Sequence, residues 1–318
     1  MVSVIIPNYN RKKALLKTLK SLAGQTLPVA YFEVIVVDDG STDETRPAVQ
    51  AIHFPFEFKF VEQDNQGPGA ARNLGASLAN YDCLVFLDAD MIPVSTLLEV
   101  YLNASKDFPE TIFFGRQLPW AEAFTSPFEQ VFNYVSFQDP GPKSLQPPFY
   151  YFASGNFAIH REQLKELNGF DEALIMTEDT DLAYRAHLAG ISIAYLPDAV
   201  GYHNHSKTLN QLCAQTEVSA WWTAQLMKKH PGLRGQIPAY QVVEPVVARE
   251  DSAWLILQKI GQCLYTLKFL FWLFPAAIRL LELLTVNPRV LSYLYRQQLA
   301  GFRFIGFRRG WQASFLQI

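Results

Sequence analysis

Three apolar runs, each closed by a polar turn and followed by a helical pattern, limit what this chain can fold into more than any other feature. Residues 2–6 end at Pro7, residues 34–37 at Asp38-Asp39, and residues 83–87 at Asp88-Ala89-Asp90. The runs are too short for helices, and their Val, Ile and Phe suit a covered, pleated surface. Residues 12–23 follow the first run with Leu15, Leu16, Leu19 and Leu22 on one helical face. Residues 56–61 read as a third, less buried strand, and Gly67-Pro68-Gly69 opens a helix to about Ala79. Strand and helix thus alternate as in a mostly parallel, wound α/β sheet, in which ligands sit outside the carboxyl ends of the strands. Pro7, Asp38, Asp39, Asp88 and Asp90 all lie at such ends. In an extended chain Asp88 and Asp90 would point the same way, two carboxylates that need a cation between them. A hard divalent ion such as Mg²⁺ takes one or two carboxylates together with substrate phosphates.

The second half is less regular. Residues 110–118 read as a strand, 119–149 as a Pro- and aromatic-rich loop or lid, and Gly155 as a close backbone approach. Thr177 is placed to cap a helix that begins Glu178-Asp179-Thr180-Asp181, with the acids at the positive end of its dipole. Asp181 and Arg185, four apart, have the exposed helix pair as their alternative reading. A last strand, residues 191–196, leads to Gly201-Tyr202-His203-Asn204-His205.

Of the 318 residues, 49% are hydrophobic, ample for a core, and the net charge is only −3. That balance hides an asymmetry. From Arg249 onward nine Lys/Arg face Glu250, Asp251 and Glu282, a local +6, whereas the preceding 248 residues carry 18 basic and 27 acidic groups, or −9. An acidic body argues against general nucleic-acid binding, and the basic, aromatic tail suggests an anionic membrane leaflet. Cys83, Cys213 and Cys263 form no CxxC, so neither a disulfide framework nor a zinc site is expected. The start Met1-Val2-Ser3-Val4-Ile5-Ile6-Pro7 has a strand pattern and no basic n-region, from which a cytoplasmic location is expected. Residues 254–284 are strongly apolar but interrupted by Lys259, Lys268 and Arg279, with Pro275 inside. Since a spanning helix needs roughly 17 to 25 predominantly apolar residues, a helix or helical pair lying in the membrane interface, or a dimer interface, is expected instead.

Ile6-Pro7-Asn8-Tyr9-Asn10, Val37-Asp38-Asp39-Gly40-Ser41-Thr42-Asp43, Gly69-Ala70-Ala71-Arg72-Asn73-Leu74-Gly75, Asp88-Ala89-Asp90, Ser154-Gly155-Asn156 and Glu178-Asp179-Thr180-Asp181-Leu182 occur in that order. Together they resemble the family 2 glycosyltransferases, inverting enzymes of the GT-A fold that use a nucleotide-activated sugar. The resemblance covers roughly residues 1–210. It implies a catalytic domain over 1–212, with a nucleotide-sugar half (1–110) and an acceptor half (111–212), followed by a helical region (213–318) that is membrane-interfacial or dimerising.

By that resemblance Pro7, Tyr9, Asn10, Asp38, Asp39, Arg72 and Asp88 bind the nucleotide sugar, with a uridine nucleotide favoured. Asp90 and Asp88 hold a divalent metal, with His203, or His205 in its place, as the ligand from the far side. Imidazole makes Mn²⁺ as plausible as Mg²⁺. Asp179 is the general base, with Glu178 and Asp181 raising its pKa by like-charge repulsion and with Gly155 and Asn156 on the acceptor side. The Q-x-x-R-W motif of processive synthases is missing, since Gln297-Gln298-Leu299-Ala300 lacks Arg-Trp, so one sugar is transferred to one saccharide or lipid-linked acceptor. The enzyme is then expected at the inner face of the membrane, peripherally bound, as a monomer or homodimer. Two other readings compete: a nucleotidyltransferase, which would carry an Arg- and Lys-bearing loop after the first strand, and a silent membrane scaffold that keeps the fold.

Overall fold

The computed structural model describes residues 1–120, 128–129, 147–204, 206–247, 251–265, 268–283 and 287–314. It separates into two compact units, Met1–Ala123 with Val135–His205, and Phe124–Tyr134 with Ser206–Ile318.

The first unit begins with the expected alternation: β1 (Val2–Asn8), α1 (Lys12–Leu22), β2 (Phe32–Asp38), α2 (Thr45–Gln50), β3 (Glu57–Glu62), α3 (Pro68–Leu78) and β4 (Cys83–Leu87). β5 (Met91–Pro93), α4 (Leu97–Asp107), β6 (Thr111–Pro119), β7 (Asn156–His160), α5 (Arg161–Glu166), α6 (Glu178–Leu188) and β8 (Ser192–His203) complete it. The sheet order is β3-β2-β1-β4-β7-β6-β8-β5. β2 and β4 are buried along their whole length, which is why they read as unbroken apolar runs rather than alternating ones. β3 sits at the edge and carries Glu57, Lys59 and Glu62.

Pairing is parallel from β3 through β2 and β1 to β4. There the winding changes. β7 joins β4 antiparallel, β6 pairs antiparallel with β7, β8 runs parallel to β6, and β5 is antiparallel to β8. The sheet is therefore mixed, with its parallel part in the first half. Because β2 and β4 flank β1 on opposite sides, the chain reverses its winding direction beside β1, the place where ligands bind in wound sheets. On α1 Leu15, Leu19 and Leu22 are enclosed as expected, but Thr18 is buried where Leu16 is only partly so. The Thr18 hydroxyl donates to the Ala89 carbonyl at 2.8 Å, tying α1 to the acidic turn after β4.

The second unit holds α7 (Leu209–Lys229), α8 (Pro238–Gln241), α9 (Ala253–Tyr265), α10 (Lys268–Leu283) and α11 (Pro288–Gln312). Thr208 and Gln211 close a capping box at the start of α7. α7 and α11 pack backbone to backbone: a Cβ on Gly306 would lie 1.9 Å from the Glu217 carbonyl oxygen, and one on Gly310 2.5 Å from that of Trp221. Gly306→Ala is expected to lower the stability of this unit by about 1–3 kcal/mol or more, because backbone cannot yield as a side chain can. Gly261→Ala is the control, since nothing lies within 4 Å of its added methyl. A thermal melt in which both variants behave like the parent would refute the close packing. Among the described residues no helix is long and apolar enough to cross a membrane.

Candidate active site

The pairing of β4 with β7 ends at Leu87 opposite Asn156. Beyond it the chain turns. The Asp88 amide donates to the Gly155 carbonyl at 3.1 Å, and the Asp88 carbonyl accepts from the Met91 amide at 3.0 Å. The extended geometry expected for Asp88-Ala89-Asp90 is thus corrected to a tight turn, and each carboxylate meets a cation of its own. Asp88, a third exposed, accepts from Arg72 Nη2 at 3.0 Å. Asp90, only 4% exposed, accepts from Arg11 Nη1 on one oxygen, and its other oxygen lies 3.8 Å from His203 Nδ1. Gly155 is required by this crowding, since a Cβ there would meet Asp88 Oδ2 at 2.8 Å and Gln117 Oε1 at 3.2 Å.

Arg72 links the turn to the start of α6. Its guanidinium is 4% exposed, lies over the Phe170 ring at 5.4 Å, and donates to Glu178 at 2.7 Å as well as to Asp88. Burial works against its charge, and Glu178 and Asp88 more than offset that, so Arg72 stays cationic. Burial is also what raises the Glu178 carboxyl most. Arg72 pulls it back and Asp179 pushes it on, to about 7. Asp179 is partly accessible at its surface but surrounded by protein on most sides. Burial raises its pKa, against hydrogen bonds from the Thr180 and Ser154 amides and the field of Arg72. Burial therefore leads, where the neighbouring acids were expected to.

Three further expectations need correction. Thr177 occupies the cap position of α6, yet its buried hydroxyl has no hydrogen-bond partner among the described residues. Asp181 and Arg185 are not an exposed pair: Asp181 is fully enclosed and takes Arg185 Nε at 2.6 Å, while the guanidinium also bonds the Leu167 and Gly169 carbonyls. Asn156 does not face an acceptor. It is fully buried, and its side chain joins the Tyr101 hydroxyl at 2.8 Å and the Ala199 carbonyl at 2.8 Å, holding β7, α4 and β8 together.

At the end of β1, Tyr9 is half exposed and Asn10 adopts a positive φ of 52°. The Asn10 side-chain oxygen accepts from the Thr42 amide at 2.8 Å, so this turn is fastened to the one after β2. Asp38 accepts from Asn8 Nδ2 at 2.6 Å and from Ser41, a turn-supporting role. Asp39 accepts from Gln63 Nε2 and from the Gln66 and Gly67 amides at 2.7–2.9 Å, which shapes the entry to α3. A carboxylate has about four acceptor sites, so Asp39 keeps capacity for one more donor.

His203 Nε2 lies 2.6 Å from Gln117 Oε1. An amide oxygen accepts, so Nε2 donates to it and Nδ1 is the ring nitrogen turned toward Asp90, the usual way a ligating imidazole is oriented. Asp90 and His203 form an oxygen-and-imidazole set that suits a divalent cation whose remaining ligands come from a substrate diphosphate. Among the described residues no three His, Cys, Asp or Glu groups close into a complete metal site. Asp88, turned to Arg72, does not join Asp90 as expected, and His205 lies outside the described residues. Sequence reasoning missed Gln117, Arg11 and Thr18 as site residues. Gln117 alone left a signal, as a polar residue inside an apolar strand.

The profile of glycosyl transferase family 2 matches residues 3–167, and that of a glycosyltransferase-like family 2 group matches 150–219. The validoxylamine A glucosyltransferase of Streptomyces hygroscopicus subsp. jinggangensis is 28% identical over 267 residues, covering 73% of this chain and 62% of that protein. The chondroitin synthase of Pasteurella multocida is 29% identical over 236 residues, covering 64% of this chain and 24% of the synthase. The chain thus spans less than two thirds of the length of these relatives. Among solved structures, the mannosyltransferase PcManGT from Pyrobaculum calidifontis, in complex with GDP-Man and Mn²⁺, shares the fold with a TM-score of 0.62 at 21% identity, over 94% of this chain and 85% of that one. S. aureus TarS 1-349 in complex with UDP gives a TM-score of 0.53 at 19% identity, over 97% and 91%. With the family 2 profile covering more than half of its residues, the chain belongs to glycosyl transferase family 2.

Proposed function

We propose that this protein is an inverting glycosyltransferase that moves a sugar from a nucleoside-diphosphate donor to an acceptor hydroxyl, with Asp179 as the base. The observation that carries this reading is the buried chain Asp88–Arg72–Glu178, which joins the acidic turn to the helix start that bears Asp179. Donor and base would thereby share one cleft. Asp179, partly accessible and raised in pKa, is suited to take the acceptor proton as the oxygen attacks the anomeric carbon. Pro7, Tyr9, Asn10 and Asp39 would receive base and ribose, and Asp38 would stiffen their turn. A divalent cation held by Asp90 and His203, Mn²⁺ or Mg²⁺, would when bound offset the charge on the departing nucleoside diphosphate. Arg72 Nε and Gln117 Nε2, buried donors without a partner among the described residues, suit an anionic ligand nearby. The complexes of TarS with UDP and UDP-GlcNAc favour a uridine nucleotide, and that of PcManGT makes GDP the alternative.

The acceptor is proposed to be lipid-linked or membrane-presented. Trp254, Leu257 and Ile260 on α9, and Leu273, Leu280 and Leu283 on α10, are exposed apolar side chains in the basic tail, the composition of a helix pair resting on an anionic leaflet. A homodimer through the same helices is the competing occupant. Flotation with anionic vesicles, before and after truncation at about Asp251, separates the two.

Incubation with UDP- and GDP-sugars and Mn²⁺ tests the main reading. Release of the nucleoside diphosphate is expected, and release of pyrophosphate from a nucleoside triphosphate would replace it by nucleotidyl transfer. The pH profile follows from the raised carboxyls. A base must be deprotonated, so turnover should climb with pH across a limb above the ordinary carboxylate range. Glu178→Gln removes a like charge beside Asp179 and should move that limb to lower pH. A limb at the ordinary carboxylate value in the parent protein would exclude Asp179 as the base.

A further inference from the structure

Asp90 is enclosed and its backbone is fixed: its carbonyl accepts from the Asn204 amide at 2.8 Å, and Met91 beside it pairs with His203 between β5 and β8. A buried carboxylate is costly unless a cation meets it, and Arg11 supplies one. The two arginines of the site differ sharply in how they are held. Arg72 is 4% exposed and wedged between two carboxylates, whereas the Arg11 side chain is 46% exposed and springs from the turn before α1, with a backbone outside the helical region (φ −127°, ψ 32°). Arg72 has nowhere else to go. Arg11, half exposed, can leave Asp90 when another cation takes its place.

A divalent cation on Asp90 must share the carboxylate of which Arg11 holds one oxygen, the other being turned to His203, and the guanidinium beside it would face the ion as a like charge. Arg11 also directly follows Asn8-Tyr9-Asn10, at the strand end where a donor's base and phosphates are placed in the reading above. Resting on that reading, we propose that Arg11 is an exchangeable counter-cation: it neutralises Asp90 until the donor arrives, yields the carboxylate to the metal that comes with the diphosphate, and then pairs with the diphosphate itself. One residue thereby opposes bare metal and favours metal–nucleotide, so the two bind together rather than in sequence. A purely structural arginine would move both affinities the same way.

Electron paramagnetic resonance of free Mn²⁺ measures both in solution, for the parent protein, Arg11→Gln and Arg11→Lys, with Mn²⁺ alone and with Mn²⁺ plus UDP, GDP or inorganic pyrophosphate. Arg11→Gln is expected to bind Mn²⁺ alone about fivefold tighter, the scale of a half-exposed ion pair, and to bind Mn²⁺–nucleotide more weakly than the parent. Arg11→Lys should fall between on both. Unchanged Mn²⁺ affinity in Arg11→Gln, or a shift of the same sign in both measurements, overturns the counter-cation and leaves glycosyl transfer standing. Failure of the parent protein to bind Mn²⁺ with any of the three overturns both.

Discussion

Asp179→Asn is expected to lower sugar transfer by about 10²–10⁴-fold, the usual contribution of a positioned general base, while the affinity for Mn²⁺–UDP stays close to that of the parent. The substitution is nearly isosteric, and the amide can keep accepting from the Thr180 amide that holds the carboxylate now at 2.7 Å. It removes the ability to take a proton, together with the carboxylate's charge and one acceptor oxygen. A calorimetric titration beside a steady-state assay separates the two effects, because a lost base lowers kcat and leaves nucleotide binding alone. Equal loss of both would make Asp179 a structural residue of the α6 start.

Arg72→Met is expected to produce the largest loss of stability. The side chain is replaced by one of similar length, so little cavity forms, but Asp88 and Glu178 lose their shared cation. Removing one partner from a buried ion pair typically costs about 3–5 kcal/mol, which for a unit of this size lowers the melting temperature by roughly 10 °C. The loss should depend on pH in a defined direction. Without Arg72 the Glu178 carboxyl rises above its present value of about 7, so at pH 6 it holds a proton and the charge disappears. At pH 8 the carboxyl either stays charged or takes up a proton at greater cost than at pH 6, so the variant should be weaker there than at pH 6. Adding Glu178→Gln should recover much of the difference. A pH-independent loss would mean that Arg72 acts through its packing on Phe170 instead.

The parallel half of the sheet was legible because strands covered on both faces must be apolar throughout and must end where the chain turns polar. Residues 34–37 and 83–87 obey that rule, and both lie in fully buried strands. The antiparallel half was not, because the pairing of β7 with β4 joins residues 69 to 77 positions apart and depends on no local pattern. Asp90, His203 and Asp179 could be named from motif resemblance, but Arg11 on Asp90 could not. Arg72 could be placed at the donor site by resemblance, but only the fold shows it enclosed between Asp88 and Glu178. Asp181 shows the converse: its spacing from Arg185 is that of an exposed pair, yet it is completely buried, and the α5–α6 connection meets the arginine through the Leu167 and Gly169 carbonyls.

Proton NMR of the sugar first released from an α-linked UDP- or GDP-sugar tests the central claim most directly. A single displacement, driven by one base across the cleft from the departing diphosphate, delivers the β anomer, and that is the expected signal. An α anomer appearing first would require two displacements or attack from the leaving-group face, and Asp179 could not then hold the role given to it.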